Sequence, residues 1–474
     1  MAIRRGSLAD PAAREHPSEN PSGRKVDLVH KVVFVATDFP PLGGTNVQRT
    51  QGFVATLPSL GWRPAVITKA LGDMPVIDSD SLGCLPPELI VHRVLDPHPE
   101  TWLRRRKGVR PRDLAQPAAE EPVGPRKTPA DLLLTALYVA VRPLLSNWLA
   151  TPDTNRLWSA AAARYLVRLA QVEQIDALVT SSPSYSCHLA GLAAKRTRGI
   201  PWIADLTDLW VGRPGRMIRG ALQARLDARM EAEVVNAADR IIVASPSWKE
   251  RLGKRYGLEV FQKTRCITLG FDSSKLPRNK ELRQSGPLRL VCTGAMYGTE
   301  SPVPFLNALE DVLRRTGRRN VRLHLIGSAG DEATRIENTI RHNRLEDVVI
   351  FEGPKPHAWC LHEQSKADML VLFNGPEHVE TIRGRSFEYM ASGKPILAIT
   401  PTSGAQADIL RPAGTATIVD NDDQAGLVAA IERLLDDDFQ PPQANWRYIA
   451  KFDAPNITRQ LSDVLNEIVS LEKR

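Results

Sequence analysis

One pattern limits the folds open to this chain more than any other. Short apolar, β-branched runs recur, each followed by a polar or glycine-rich loop and then by helical periodicity. The first is KVVFVAT from Lys31, then TDFPPLGG, then Val47, Phe53, Leu57 and Leu60 spaced for one helix face. Further runs follow at 64–68, 89–94, 176–180, 201–205 and 238–245. After a stretch rich in Pro, Lys and Arg at 273–287 the grammar restarts, with runs at 288–294, 321–327, 348–353, 368–373, 395–400 and 415–419. Such alternation predicts an α/β chain of helices on parallel sheets, and the restart predicts two doubly wound domains.

The boundaries follow from the breaks. Residues 1–27 read as a disordered tail, 28–270 as a first Rossmann-like domain with an insertion at about 97–130, and 271–282 as a linker. Residues 283–436 form a second Rossmann-like domain, and 437–474 a closing segment. There Ile457, Leu461, Val464, Leu465, Ile468 and Val469 line one face of an amphipathic helix, which must dock on a domain. At 474 residues and 42% hydrophobic content the chain has material for two cores.

Charge narrows the partners only coarsely. A net charge of +8 suits phosphate-bearing ligands, nucleic acid or an anionic membrane. The basic cluster Arg104, Arg105, Arg106, Lys107, Arg110 and Arg112 has only Trp102 nearby for stacking, so no nucleic acid is expected. Five widely spaced cysteines read as free thiols of a cytoplasmic protein. No apolar signal segment follows Arg4 and Arg5, and Leu132 to Val141 is too short to cross a bilayer. The segment Asp131 to Ala150, with Arg142 and Trp148, adjoins the basic stretch 104–126. It reads either as a helix packed into the first domain through Leu133, Leu134, Tyr138 and Val141, or as a peripheral contact with the anionic inner face of the cell membrane.

In open α/β sheets ligands bind beyond the carboxyl ends of the strands, which singles out four loops. In Pro40-Pro41-Leu42-Gly43-Gly44-Thr45 the glycine pair Gly43 and Gly44 opens a helix and lets a ligand approach backbone N–H groups; the plainer alternative is a turn capped by Thr45. Arg49 adds a cation one turn later. The cluster Ser181 to His188 either binds hydroxyls, with His188 as a candidate base, or is a capping loop with a structural histidine. At Asp205-Leu206-Thr207-Asp208-Leu209-Trp210, Asp208 is placed to orient an acceptor hydroxyl or act as a base, while Asp205 could equally cap the next helix.

The fourth loop carries Glu380 and Glu388, eight residues apart, with Arg383 and Arg385 between. A helical rise over that interval is about 12 Å, enough for two carboxylates to meet separate hydroxyl sets of one elongated ligand. The helix start at 384–386 would offer N–H groups to a phosphate between them, the layout of a nucleotide sugar. The alternative is a solvated helix face.

Together FPPLGGTNVQR, TPDTNRLW, SSPSYSCHLAGLAAK, GIPWIADLTDLW, ADRIIVAS, ITLGFD and RSFEYMASGKPILAI resemble the GT-B glycosyltransferases of the family 4 type, in particular the bacterial branch that builds surface polysaccharides. The resemblance covers most of residues 31–436. It implies two facing Rossmann-like domains, with the C-terminal helix crossing back to the first. It also implies transfer of a sugar from a nucleotide-sugar donor to a hydroxyl of a glycan or lipid-linked acceptor, with retention. In that mechanism the donor diphosphate takes the acceptor proton, and no protein nucleophile is required. By the same resemblance Glu380 contacts the donor sugar, Glu388 the nucleotide ribose, and Gly43 and Gly44 lie near the donor phosphates. No cofactor is expected, and no metal, since no His, Asp and Glu set shows ligand spacing.

A sugar-nucleotide epimerase of the same fold and a non-catalytic glycosyltransferase-like subunit remain the alternatives. Two departures stand out. The loop 294–300 lacks the Arg and Lys that relatives place there for the diphosphate, leaving Arg383 and Arg385 as the nearest substitutes, and Asp205 to Asp208 lacks the usual Arg.

Overall fold

The structure, a computed structural model, describes residues 30–106 and 151–472 apart from positions 75, 215, 217, 219, 278–285, 297 and 437, together with short strands at 18–19, 25–26 and 112–113. The expected membrane-contacting or core-packing helix at 131–150 lies outside the described residues, as do most of the tail 1–27 and most of the insertion.

Apolar runs buried on both faces become parallel strands flanked by helices, because nothing in them can be left facing water. In the first domain these are β1 (His30–Val35), β2 (Trp62–Lys69), β3 (Ile90–Val94), β4 (Ala177–Ser181), β5 (Trp202–Leu206), β6 (Arg240–Val243) and β7 (Thr264–Cys266). They pair in parallel in the order β7-β6-β5-β4-β1-β2-β3. The second domain holds β8 (Leu288–Thr293), β9 (Val321–Ile326), β10 (Val349–Glu352), β11 (Met369–Phe373), β12 (Ile396–Ile399) and β13 (Ala416–Val419), parallel in the order β10-β9-β8-β11-β12-β13. In each sheet the order of strand addition reverses once, between β1 and β4 and between β8 and β11. Those two switch points open the crevices where ligands bind.

The helices used below are α1 (Thr45–Thr56), α2 (Arg156–Val172), α3 (Ser186–Arg198), α4 (Ala221–Ala237), α5 (Pro246–Tyr256), α6 (His357–Lys366), α7 (Arg385–Ser392) and α8 (Ala454–Glu472). The expected face of α8 is buried throughout, from Ile457 to Val469. It packs on α1 of the first domain, so closely that a Cβ added at Gly52 would reach van der Waals distance of Ala454. Glu467 accepts hydrogen bonds from Arg240 at 2.5 Å and Arg265 at 3.1 Å, tying α8 to the β6 and β7 edge. The two chain crossings between the domains bind each other: Phe271 N–H donates to Phe452 O at 3.0 Å, and Ala454 N–H to Phe271 O at 2.8 Å. Gly270 is required there, since a Cβ would stand 2.3 Å from Phe452 O.

Candidate active site

Four loops leave the carboxyl ends of β1, β4, β8 and β11 at the two switch points, and the loop after β5 joins them. In the first, Gly43 and Gly44 are exposed, with open space where side chains would stand. Gly44 has φ +117°, a conformation that L side chains rarely adopt, and its carbonyl accepts the first helical bond of α1 from Gln48 at 3.2 Å. Pro41 O accepts from Asp78 N–H at 2.5 Å, and the Asp78 carboxylate accepts from His357 N–H of the second domain at 3.4 Å. The glycine loop is thereby connected to the opposite wall.

Arg49 does not serve that loop as a free cation. Its Nε and Nη2 each donate to Asp205 at 3.0 Å, and its remaining donors reach Thr268 O and Ile267 O. The pair is buried, with 2% and 1% of the two side chains exposed. Asp205 is therefore neither a helix cap nor a ligand group; it fixes α1 to the sheet.

The serine cluster is likewise structural. Ser184 and Ser186 hydroxyls and Ser186 N–H all donate to Asp153, which stands in the TPDTN loop before α2 and so holds the start of α3. The expectation that His188 acts as a base fails on burial. It is fully enclosed, its Nδ1 lies 2.8 Å from Thr180 Oγ1, and its ring stacks on Trp210 at 6.3 Å between centroids. The same threonine accepts from Trp202 Nε1 at 2.9 Å, and Trp202 packs so tightly on Gly191 that a Cβ there would lie 2.4 Å away.

Desolvation lowers the His188 pKa to about 3. The unfolded chain takes up a proton near pH 6.5 that the folded chain refuses, so this contribution is complete above about pH 6.5. It falls by up to about 1.4 kcal/mol per pH unit as acidity rises toward the folded value. Melting of wild type and His188→Gln from pH 7 to 5 tests this. The variant should show a shallower acid slope, and an identical slope would contradict the burial argument.

Asp208, unlike Asp205, faces the cleft. Burial raises its pKa, opposed by Arg213, whose Nη2 stands 3.5 Å away, and by Arg383 of the second domain. Asp38, beside it at the end of β1, is also raised by burial, with Asp153 and Asp208 adding to that rise. The loop bearing Asp208 is braced from α4: Trp210 Nε1 donates to Asp227 at 3.0 Å and Val211 N–H to Glu231 at 3.0 Å.

On the second wall α7 begins only at Arg385, so Glu380 stands in the preceding loop and Glu388 in the first helical turn. The interval between them is thus not a continuous helical rise. Glu388 lies 2.7 Å from His357 Nε2 and accepts from Gln364 Nε2 at 3.3 Å; its side chain stays 18% exposed. It lines a cavity between the domains with His357, Gln48, Lys275, Leu269 and Ile457. Glu380 reaches across the cleft and accepts from Arg251 of α5 at 2.6 Å.

The two arginines read as donor-phosphate ligands divide. Arg385 donates to Thr293 O, Ala295 O and Phe373 O and pairs with Glu300 at 3.1 Å, which leaves its side chain 9% exposed. Its charge holds the β8 and β11 loops together, a structural task that leaves it little to offer a phosphate. Arg383 pairs with Glu300 at 2.6 Å and Asn374 at 2.9 Å but keeps 21% of its side chain exposed, facing Asp208. His378 was not anticipated. Burial first, then Arg383 and Arg213 of the opposite domain, bring its pKa down to about 4, against the smaller opposing effect of Glu377, so the imidazole is neutral. Among the described residues no group of three His, Cys, Asp or Glu side chains could hold a metal ion.

Two family profiles match the chain: Glycosyltransferase Family 4 over residues 124–275 and Glycosyl transferases group 1 over residues 287–437. Together they span more than half of it. No curated protein sequence matches. Among solved structures, the sucrose-phosphate synthase of Thermosynechococcus elongatus is 19% identical, with a TM-score of 0.60 over 93% of this chain and 100% of that one. HepE of Anabaena, solved with UDP and glucose, is 15% identical, with a TM-score of 0.62 over 92% of this chain and 100% of that one. WaaG, a glycosyltransferase involved in lipopolysaccharide biosynthesis, is 13% identical, with a TM-score of 0.53 over 93% and 99%. At such identities the likeness shows the shared fold of two facing Rossmann-like domains.

Proposed function

We propose a donor and a reaction for this chain, which belongs to the GT-B glycosyltransferases of the family 4 type: it transfers a sugar, with retention, from a nucleoside-diphosphate sugar to a hydroxyl of a glycan or lipid-linked acceptor. The observation that carries this reading is the placement of Glu380 and Glu388 on one wall of the interdomain cleft. Glu388 lies deep beside His357, and Glu380 reaches to the opposite domain. Carboxylates accept paired hydrogen bonds from vicinal hydroxyls, so Glu388 suits a ribose and Glu380 the hydroxyls of the donor sugar. That UDP and glucose occupy HepE, a structure of the same fold, supports the choice of donor class.

The glycine loop at Gly43 and Gly44 faces the phosphates between these two ends, and Asp208 orients the acceptor hydroxyl. In the reaction the bond from the sugar C1 to the diphosphate oxygen breaks, and the acceptor oxygen bonds to C1 on the same face. The acceptor proton passes to the departing diphosphate. Its developing charge needs cations nearby, which is where preorganised electrostatics contributes most to such a reaction.

Incubation with a panel of nucleotide sugars, with and without a glycan or lipid-linked acceptor, tests the proposal. Free nucleoside diphosphate and a glycosylated product are expected with one donor. An isomerised donor would assign the chain to epimerases, and absence of binding to any donor would make it a non-catalytic subunit.

A further inference from the structure

The second domain's wall offers a donor diphosphate little positive charge. Residues 294–300 after β8 contain neither Lys nor Arg, and the only charged residue there is Glu300, itself buried. Glu300 engages both arginines of that wall, Arg383 at 2.6 Å and Arg385 at 3.1 Å. Arg385 cannot turn to a ligand without abandoning three backbone carbonyls.

Two cations on the first domain are held quite differently. Arg251 pairs with Glu380 at 2.6 Å, and the two side chains are 39% and 36% exposed. Arg213 stands 3.5 Å from Asp208 and is 42% exposed. The Arg251 pair, exposed on both sides, is nearly balanced by hydration and breaks at little cost. Arg213, which also hydrogen-bonds Tyr185, keeps part of its guanidinium open to solvent beside the more buried Asp208. A guanidinium on a phosphate gains charge-assisted, often bidentate, hydrogen bonds. Both arginines reach toward the second domain: Arg251 touches Glu380, and Arg213 is near enough to His378 for its charge to lower that pKa. A side chain at Gly212, where φ is +85°, would collide with the Arg251 guanidinium at 2.8 Å, so a glycine beside Arg213 leaves room for it.

We infer that Arg251 and Arg213 of the first domain bind the donor's diphosphate, supplying the charge that Glu300 withdraws from the second. The inference rests on the nucleotide-sugar reading. As the donor enters, Arg251 leaves Glu380 for the phosphate oxygens, and the Glu380 carboxylate is released to accept from the donor sugar's hydroxyls. Phosphate and sugar are thus engaged in one exchange of partners. The cleft closes on a ligand rather than on its own ion pair.

Calorimetric titration of the full chain with UDP, GDP, ADP and CDP and their nucleosides tests this, using wild type, Arg251→Ala, Arg213→Ala and Lys254→Ala. Lys254 is an exposed residue of the same helix, and its loss changes the net charge equally. Each arginine variant should lose about tenfold or more in affinity for the preferred diphosphate and nothing for its nucleoside. Lys254→Ala should lose neither. Arg251→Gln, with melting curves for every variant, separates loss of the guanidinium from loss of fold. Unchanged diphosphate affinity in both arginine variants, or equal losses for diphosphate and nucleoside, would overturn the inference while leaving the nucleotide-sugar reading intact. A wild type that binds no nucleotide at all would instead remove that reading, and this inference with it.

Discussion

Asp205→Ala is expected to destabilise the first domain by about 3–5 kcal/mol, the cost of leaving one member of a buried ion pair alone. Arg49 is 2% exposed at its side chain and uses Nε and Nη2 on the Asp205 carboxylate. Without that partner a buried guanidinium retains the carbonyls of Ile267 and Thr268 and the face of the Phe53 ring, 4.8 Å from its centroid, none of which neutralises its charge. Total stabilities of domains run to about 5–15 kcal/mol, so the loss consumes a large share of it. Urea unfolding followed by tryptophan fluorescence measures the effect, because Trp202 and Trp210 are buried in this domain. Asp208→Ala, three residues on, removes a carboxylate that faces the cleft and should cost far less. A loss under about 1 kcal/mol for Asp205→Ala would mean that Arg49 finds water when its partner is removed.

Glu388→Ala should weaken nucleotide binding by about 1.5–3 kcal/mol, or roughly 10- to 150-fold, as expected for hydrogen bonds from hydroxyls to a charged acceptor. The fold should tolerate the change, because the side chain stays partly exposed and its partners His357 and Gln364 are held by other contacts: Gln364 also donates to Thr293 at 3.0 Å. Nucleoside and nucleoside diphosphate should lose equally, since the carboxylate is assigned to the ribose that both contain. That distinguishes it from Arg251. Calorimetry on the preferred nucleotide checks the prediction, and unchanged affinity would remove the ribose from Glu388.

How much of this was legible in the sequence depended on whether the deciding partner lay nearby in the chain. Strands such as β1 and β11 announce themselves because both faces are buried and nearly every residue is apolar. β7 (Thr264–Cys266) does not, being three residues of mixed polarity at a sheet edge. The face of α8 was readable from periodicity alone. Glu380 and Glu388 stood out through their spacing after a strand.

Charged and polar residues whose partners are remote were misread. Nothing near Arg49 in the chain reveals Asp205, 156 positions away, and nothing near Arg385 reveals that Thr293 and Ala295 will take its donors. His188 looks like a base in a polar loop until Trp210 and Thr180 close over it. The same blindness hid Arg251, Arg213 and His378, whose meaning arises only when the two domains face each other. Asp153 was within a recognised stretch, yet its task of holding the start of α3 depends on a loop 33 residues further on.

The central claim is that the segment from Glu380 to Glu388 holds a nucleotide sugar with its sugar end at Glu380. Steady-state turnover of the preferred donor by Glu380→Ala, measured beside the affinity of the same variant for the nucleoside diphosphate, tests it most directly. The account predicts a fall in kcat of about tenfold or more, with diphosphate affinity unchanged or raised because Arg251 is no longer occupied by a carboxylate. Unaltered kcat, or a loss confined to diphosphate affinity, would contradict it.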